Sequence, residues 1–306
     1  MISVITPVFN EENTLEELYK RLDVSFRKVN QEFEIIFIDN GSEDNSLNKI
    51  KTIAENNKNV KYISLTKNVG HQGGIWSGIN NTENTCIIID SDLQQPPEII
   101  VEFIKKWREG FKVVKTKKIF DKDNRSWKKF MSLIFYKTIN KFTKLNLFEG
   151  QSDFCLLDKQ IVKEIKKFSE KKSFLRGIIN FTGFKSCHVE YTVNKRIEGK
   201  SKFSKIDYFN FAVDGIFNYS KAPITILFWL GLIISLTCFV YIFYLLILYF
   251  IYGMESLPAG WITISILLMF FGSLNLLAFS MIGKYILLIL EDGKNRPEYF
   301  IKEKNF

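Results

Sequence analysis

Residues 224–252 and 261–283 contain no charged side chain. Each run exceeds the roughly 20 apolar residues that cross a bilayer core, so the chain reads as a water-facing region followed by two membrane spans. The competing reading is two core helices of a soluble protein. Neither run has the position of a signal peptide, because both lie far from Met1, which leads straight into a strand-like run.

The charge distribution orients these spans. Formal net charge is +9 over 306 residues. Lys195, Arg196, Lys200, Lys202, Lys205 and Lys221 precede the first run, and Lys284, Lys294, Arg296, Lys302 and Lys304 follow the second. The connecting residues 253–260 hold one Glu and no Lys or Arg. The positive-inside rule then puts both ends on the cytoplasmic side of the plasma (inner) membrane. An anionic leaflet and phosphate-bearing substrates explain the basic excess more simply than nucleic acid does. Cys86, Cys155, Cys187 and Cys238 are widely spaced and read as reduced thiols. With only His71 and His188 present, a His-rich zinc site is excluded.

The first hundred residues alternate short apolar runs with amphipathic ones. Strands are expected at residues 2–6, 34–38, 60–65 and 86–89, with helices over 11–30 and 46–56 and a short helix after the glycines near residue 70. That alternation implies an α/β fold with a parallel sheet and helices on both faces. Ligands in such sheets bind beyond the carboxyl ends of the strands. Residues 125–144 form a basic amphipathic pattern with Trp127, Phe130, Ile134 and Phe135 on its apolar stripe, and residues 206–219 repeat it before the first span. Such helices seat in a membrane surface or pack on the sheet. The expected organisation is a catalytic domain over 1–221, a two-helix transmembrane region over 222–290 and a cytoplasmic tail over 291–306.

Asp90 and Asp92 follow the apolar run Cys86-Ile87-Ile88-Ile89. Mg²⁺ and Mn²⁺ take oxygen ligands and share coordination with substrate phosphates, which makes Asp92 the expected metal ligand, with Gln94 as a second oxygen donor and Asp90 beside them. An Asp-x-Asp alone is a weak signal, because acidic turns after strands are common.

Read with the other strand ends it becomes specific. Ile5-Thr6-Pro7-Val8-Phe9-Asn10-Glu11-Glu12, Asp39-Asn40-Gly41-Ser42, Asn68-Val69-Gly70-His71-Gln72 and Asp90-Ser91-Asp92 stand in the order of the donor half of family 2 glycosyltransferases. Ser152-Asp153-Phe154 and the run from Arg196 through Ser201, Lys202 and Phe203 complete the pattern. The chain resembles the polyprenyl-phosphate branch of that family, which includes the bactoprenol glucosyltransferases and dolichyl-phosphate mannose synthase. The resemblance implies a GT-A, Rossmann-like domain followed by two transmembrane helices. It implies transfer of one hexose, with glucose from UDP-glucose favoured, to undecaprenyl or another polyprenyl phosphate, and a homo-oligomer, since some relatives look tetrameric.

The same resemblance assigns roles. Pro7, Phe9, Asn10, Glu11, Asp39, Asn68, Gly70 and Asp90 would line the nucleotide-sugar pocket. Asp92, Gln94 and Asp90 would hold Mg²⁺ or Mn²⁺, and Asp92 and Asp153 would be catalytic. Arg196, Ser201, Lys202 and Arg125 would bind the acceptor phosphate. Asn40 departs from the Asp usual at its position, which puts a base or ribose contact there in question. Competing readings are a GDP-mannose-dependent mannose synthase, a processive polysaccharide synthase and a non-catalytic scaffold. The processive class usually carries Gln-x-x-Arg-Trp and more spans, and neither is present.

Overall fold

The computed structural model describes residues 1–119, 150–168, 175–192, 222–252, 260–294 and 296–306. These fall into two compact units, one within residues 1–208 and 295–306 and one within 209–294.

The first unit is built on one mixed eight-stranded sheet. Strands β1 (Ile2–Val8), β2 (Phe33–Asp39), β3 (Val60–Leu65) and β4 (Thr85–Ile88) are mutually parallel, and each forms where the apolar runs predict. All seven residues of β1 are buried, as befits a strand covered on both faces. Beyond β4 the sheet departs from the all-parallel expectation. β5 (Val113–Ile119), β6 (Gln151–Leu157) and β7 (Ser186–Thr192) extend it, with β6 antiparallel to both β4 and β5. The strand order is β7-β5-β6-β4-β1-β2-β3-β8.

Helices cover both faces. On one side α1 (Leu15–Lys28), α2 (Ser46–Asn56) and α4 (Ile100–Arg108) bury residues such as Leu18, Leu22, Phe26, Ile50 and Phe103 against the sheet. On the other, α3 (Gly70–Asn80), α5 (Lys159–Ile165) and α6 (Leu175–Phe181) bury Ile75, Ile79, Ile161 and Ile178. Gly78 is what lets α3 lie directly on β1, since a Cβ there would come within 2.4 Å of Ile5 Cγ2. Truncating a core side chain such as Leu22 to Ala costs about 2–5 kcal/mol.

Residues 296–306, read from the sequence as a tail, rejoin this unit. β8 (Ile301–Lys304) pairs antiparallel with β3, the Thr66 amide donates to Phe300 O at 3.0 Å, and Lys51 Nζ lies 2.6 Å from Glu303 Oε1. The tail thereby covers an edge that would otherwise present unpaired backbone groups.

In the second unit the two uncharged runs lie within α7 (Ala222–Tyr252) and α8 (Trp261–Gly293), of 31 and 33 residues, the latter continuing past its apolar run through Lys284, Glu291 and Asp292. Among the described residues one window, Phe270–Leu287, is long and apolar enough by composition to cross a membrane, with mean hydropathy 1.4.

Candidate active site

The parallel strands end their carboxyl termini in polar turns, and β6 runs the opposite way, so its amino-terminal end arrives at the same edge of the sheet. Ile88 of β4 faces Cys155 of β6, and extending that register by two residues sets Asp90 opposite Asp153. Both side chains lie on the α3 face, as do Ile88 and Cys155. The first turn of α3 sits over them. His71 Nε2 is 3.4 Å from Asp90 Oδ1 and 3.7 Å from Asp153 Oδ2, and Gln72 Nε2 donates to Asp153 Oδ2 at 3.1 Å.

The two carboxylates are in contrasting states. Asp153 is buried and accepts a two-pronged contact from Arg176, Nε to Oδ1 at 2.9 Å and Nη2 to Oδ2 at 3.2 Å. Arg176 Nη1 is itself fixed on Gln151 O at 2.9 Å. Burial pushes the Asp153 carboxyl up, but Arg176, His71 and the Gln72 amide more than offset this and hold it below the ordinary carboxylate range. Asp90 is clamped by Gln95, whose Oε1 accepts from the Asp90 amide at 3.0 Å while Nε2 donates to Oδ2. Its side chain is 31% exposed, yet Oδ1 is enclosed and has no hydrogen-bond partner. Burial raises the Asp90 carboxyl, Asp92 and Asp153 add to the shift, and His71 and Lys118 only partly offset it.

Asp92 Oδ1 accepts from the Gln94 amide at 3.1 Å, closing a turn in which Leu93 takes a positive φ of 58°. That turn carries Asp90, Asp92 and Gln94 together past the end of β4. Ser91 Oγ ties it to Pro7 O at 3.0 Å.

The proposed nucleotide-pocket residues form a second stitched group. Asn10, at φ 56°, accepts the Glu43 amide on Oδ1 at 2.8 Å and donates its own amide to Ser42 Oγ at 3.2 Å. The Glu11 amide donates to Ser46 Oγ at 3.0 Å. Asp39 accepts the Ser42 amide on Oδ1 and the Ser64 hydroxyl on Oδ2, at 3.1 and 2.8 Å. Gly41, at φ 71°, allows close approach to the next loop, because a Cβ there would meet Asn68 N at 2.8 Å. Asn68 Oδ1 accepts the Gly70 amide at 2.8 Å. Pro7 lies beneath Gly74, where a Cβ would come within 3.2 Å of the Pro7 ring. Phe9 is half-buried between β1 and Asn10.

The structure therefore brings together Pro7, Phe9, Asn10, Glu11, Asp39, Asn68, Gly70, Asp90, Asp92, Gln94 and Asp153 along one edge of the sheet. Arg125, Arg196, Ser201 and Lys202, with the amphipathic segments over 125–144 and 206–219, lie outside the described residues. Sequence reasoning missed Gln72, Gln95 and Arg176. Gln72 and Gln95 stand inside the quoted motifs and were open to notice, whereas nothing local marks Arg176, which meets Asp153 only through the packing of α6.

The Glycosyl transferase family 2 model matches residues 3–166. The putative glycosyltransferase CsbB of Bacillus subtilis (strain 168) is 34% identical over 310 residues, covering 100% of this chain and 92% of the relative. The uncharacterized glycosyltransferase YkcC of the same organism is 32% identical over 302 residues, with 98% and 93% covered. The bactoprenol glucosyl transferase of Shigella phage SfII is 31% identical over 305 residues, with 99% and 98% covered. With its donor-half motifs gathered at one edge of the sheet and matching relatives along its whole length, the chain belongs to glycosyl transferase family 2.

Proposed function

We propose that this protein is a GT-A polyprenyl-phosphate hexosyltransferase that moves a single hexose, glucose from UDP-glucose being favoured, onto undecaprenyl phosphate with inversion at the anomeric carbon. The observation that carries the reading is the meeting of Asp90 on the donor-side strand with the Arg176-held Asp153 on β6, in a chain that aligns end to end with relatives named bactoprenol glucosyl transferase.

In this reaction an acceptor phosphate oxygen attacks the anomeric carbon, and the bond to the nucleoside diphosphate breaks with its electron pair leaving on that diphosphate. A phosphate monoester has a second pKa of about 6 and is largely ionised at neutral pH, so no strong base is required. The state of Asp153 fits this. Fork-paired and held below the ordinary range, it stays an anion and orients groups instead of collecting a proton. His71 stands between the two carboxylates, 3.4 Å from Asp90 Oδ1 and 3.7 Å from Asp153 Oδ2.

The residues at β4 fit a divalent cation. Asp90 offers an enclosed oxygen that makes no hydrogen bond, and its carboxyl is raised by burial, with the negative charge of Asp92 and Asp153 adding to the shift. Mg²⁺ and Mn²⁺ take few protein oxygens and draw their remaining ligands from water and substrate phosphates. Asp92, Asp90 and Gln94 would hold the ion. When bound, it would offset charge on the departing diphosphate.

Arg196, Ser201, Lys202 and Arg125 are the proposed acceptor-phosphate residues, offering guanidinium, hydroxyl and ammonium donors. At 1.5 Å per residue, α7 and α8 each exceed the roughly 30 Å hydrocarbon core, and we assign them as two membrane spans, with both termini on the cytoplasmic side of the plasma membrane and the protein a homo-oligomer. Anchoring would confine enzyme and lipid acceptor to one surface.

The test is incubation of the purified protein in detergent with undecaprenyl phosphate, Mg²⁺ or Mn²⁺ and separate UDP- and GDP-sugars, with glycolipid detected by mass spectrometry. A lipid carrying one hexose from UDP-glucose, lost on adding EDTA, is expected. Product from GDP-mannose alone would move the donor to the mannose alternative. Nucleotide binding without any product would overturn the acceptor assignment.

A further inference from the structure

We infer that Asn40 is a positioning residue that holds the turn before α3, and through it His71 and Gln72, against Asp90 and Asp153. The reasoning is one of hydrogen-bond capacity. A primary amide has two N–H donors on its nitrogen. Both are engaged: Asn40 Nδ2 donates to Asn68 Oδ1 at 3.1 Å and to Gly70 O at 3.0 Å. Its Oδ1 accepts the Val69 amide at 3.0 Å, and its own backbone amide donates to Val8 O at 2.8 Å. Asn40 is buried, and a Cβ on Gly74 would stand 3.6 Å from Nδ2, so α3 packs over the amide. Nothing on that nitrogen is left to donate to a nucleotide without releasing the loop.

The amide orientation is fixed by its partners. The Val69 N–H requires an acceptor and Gly70 O requires a donor, and only one setting of the side chain satisfies both. Asn68 extends the brace, since its Oδ1 also accepts the Gly70 amide. Residues 68–70 are thus pinned from β2, and the next two residues are those that reach the carboxylates, His71 toward Asp90 and Asp153 and Gln72 onto Asp153. A carboxylate at position 40 would set a buried anion against two acceptors and lose both donor bonds. In this chain the Asn is therefore a working part of the loop, and Asn40→Asp is expected to release it.

The kinetic arm of the test rests on the glycosyl-transfer reading, while the exchange arm does not. Full-length protein in detergent is compared with Asn40→Asp and, as a variant that buries no charge, Asn40→Ala. Hydrogen exchange of peptides covering residues 66–74 is expected to quicken at least tenfold in both variants, while peptides from β1 and α1 exchange as before. The rate of glycolipid formation is expected to fall at least tenfold in Asn40→Asp. His71→Ala added to Asn40→Asp should then lower the rate by much less than the product of the single effects, because the histidine is already misplaced. Unchanged exchange over 66–74 would overturn the inference, and so would independent, multiplying losses in the double variant. If the wild-type protein forms no glycolipid at all, the transfer reading fails and the exchange result still decides the role of Asn40.

Discussion

Two buried polar clusters sit at opposite ends of the same strands and differ in one respect. At the amino-terminal end, Glu34 of β2 accepts from Ser3 Oγ at 2.6 Å and Asn84 Nδ2 at 3.1 Å, and pairs with Lys61 Nζ at 2.6 Å. Ser3 also shares a hydrogen bond with Thr82 at 2.7 Å. Every carboxylate oxygen there has a partner. At the carboxyl-terminal end, Asp90 Oδ1 is enclosed and makes no hydrogen bond, with only His71 Nε2 nearby at 3.4 Å, and its carboxyl is raised by burial and by Asp92 and Asp153. A polar network that is closed upon itself rigidifies a fold, whereas one left open retains the capacity to bind. The open end is the one where the family motifs gather.

Four substitutions break or sharpen that contrast. The largest effect is expected from Asp92→Asn, which removes charge from the open cluster without disturbing packing. Transfer should fall at least ~100-fold, since a bound cation contributes several kcal/mol at the leaving group and about 1.4 kcal/mol is tenfold in rate. The melting temperature should hold, and undiminished transfer would remove Asp92 from the mechanism. Arg176→Lys keeps the charge beside Asp153 but loses the fork. A drop of roughly tenfold in turnover is expected, read from initial rates at saturating donor.

Glu34→Ala should do the reverse of Asp92→Asn. Leaving Ser3, Asn84 and Lys61 without their common acceptor costs about 2 kcal/mol of stability, while turnover per folded molecule stays at the wild-type value. Loss of turnover without loss of stability would erase the distinction between the two ends. The smallest effect concerns Asp158, which caps α5 through the Gln160 amide and accepts from Trp107 Nε1 at 2.7 Å. Burial pushes its carboxyl up, and Trp107, the Gln160 amide and Lys112 bring it net below the ordinary range. A lowered folded-state pKa means that this stabilisation is fully present above the unfolded value of about 3.9 and is lost as pH falls through the folded value. Asp158→Asn should therefore cost about 1 kcal/mol at neutral pH, with the difference from wild type closing as melting is followed into acid.

Much of the donor half was legible because its signals are local. The expected strand over 60–65 and helix over 46–56 coincide with β3 and α2 at both ends, and the runs at 2–6, 34–38 and 86–89 fall on β1, β2 and β4 within a residue or two. Apolar period and turn chemistry act over a few residues, so they can be read without knowing what packs where. The long helix over 11–30 shortened to Leu15–Lys28 because residues 10–12 are drawn into bonds with the 42–46 loop.

What the chain by itself determined, then, is the set of parallel strands, the delivery of Asp90 and Asp92 to a strand end, and two long helices built on uncharged runs. Tertiary structure alone decided that β6 enters antiparallel and sets Asp153 across from Asp90, that Arg176 and Gln72 converge on it from 23 and 81 residues away, and that residues 301–304 return to close the β3 edge. The physical reason is range: backbone preference and hydrophobic period are encoded between neighbours, while register, charge pairing and edge closure depend on which distant surfaces become buried together.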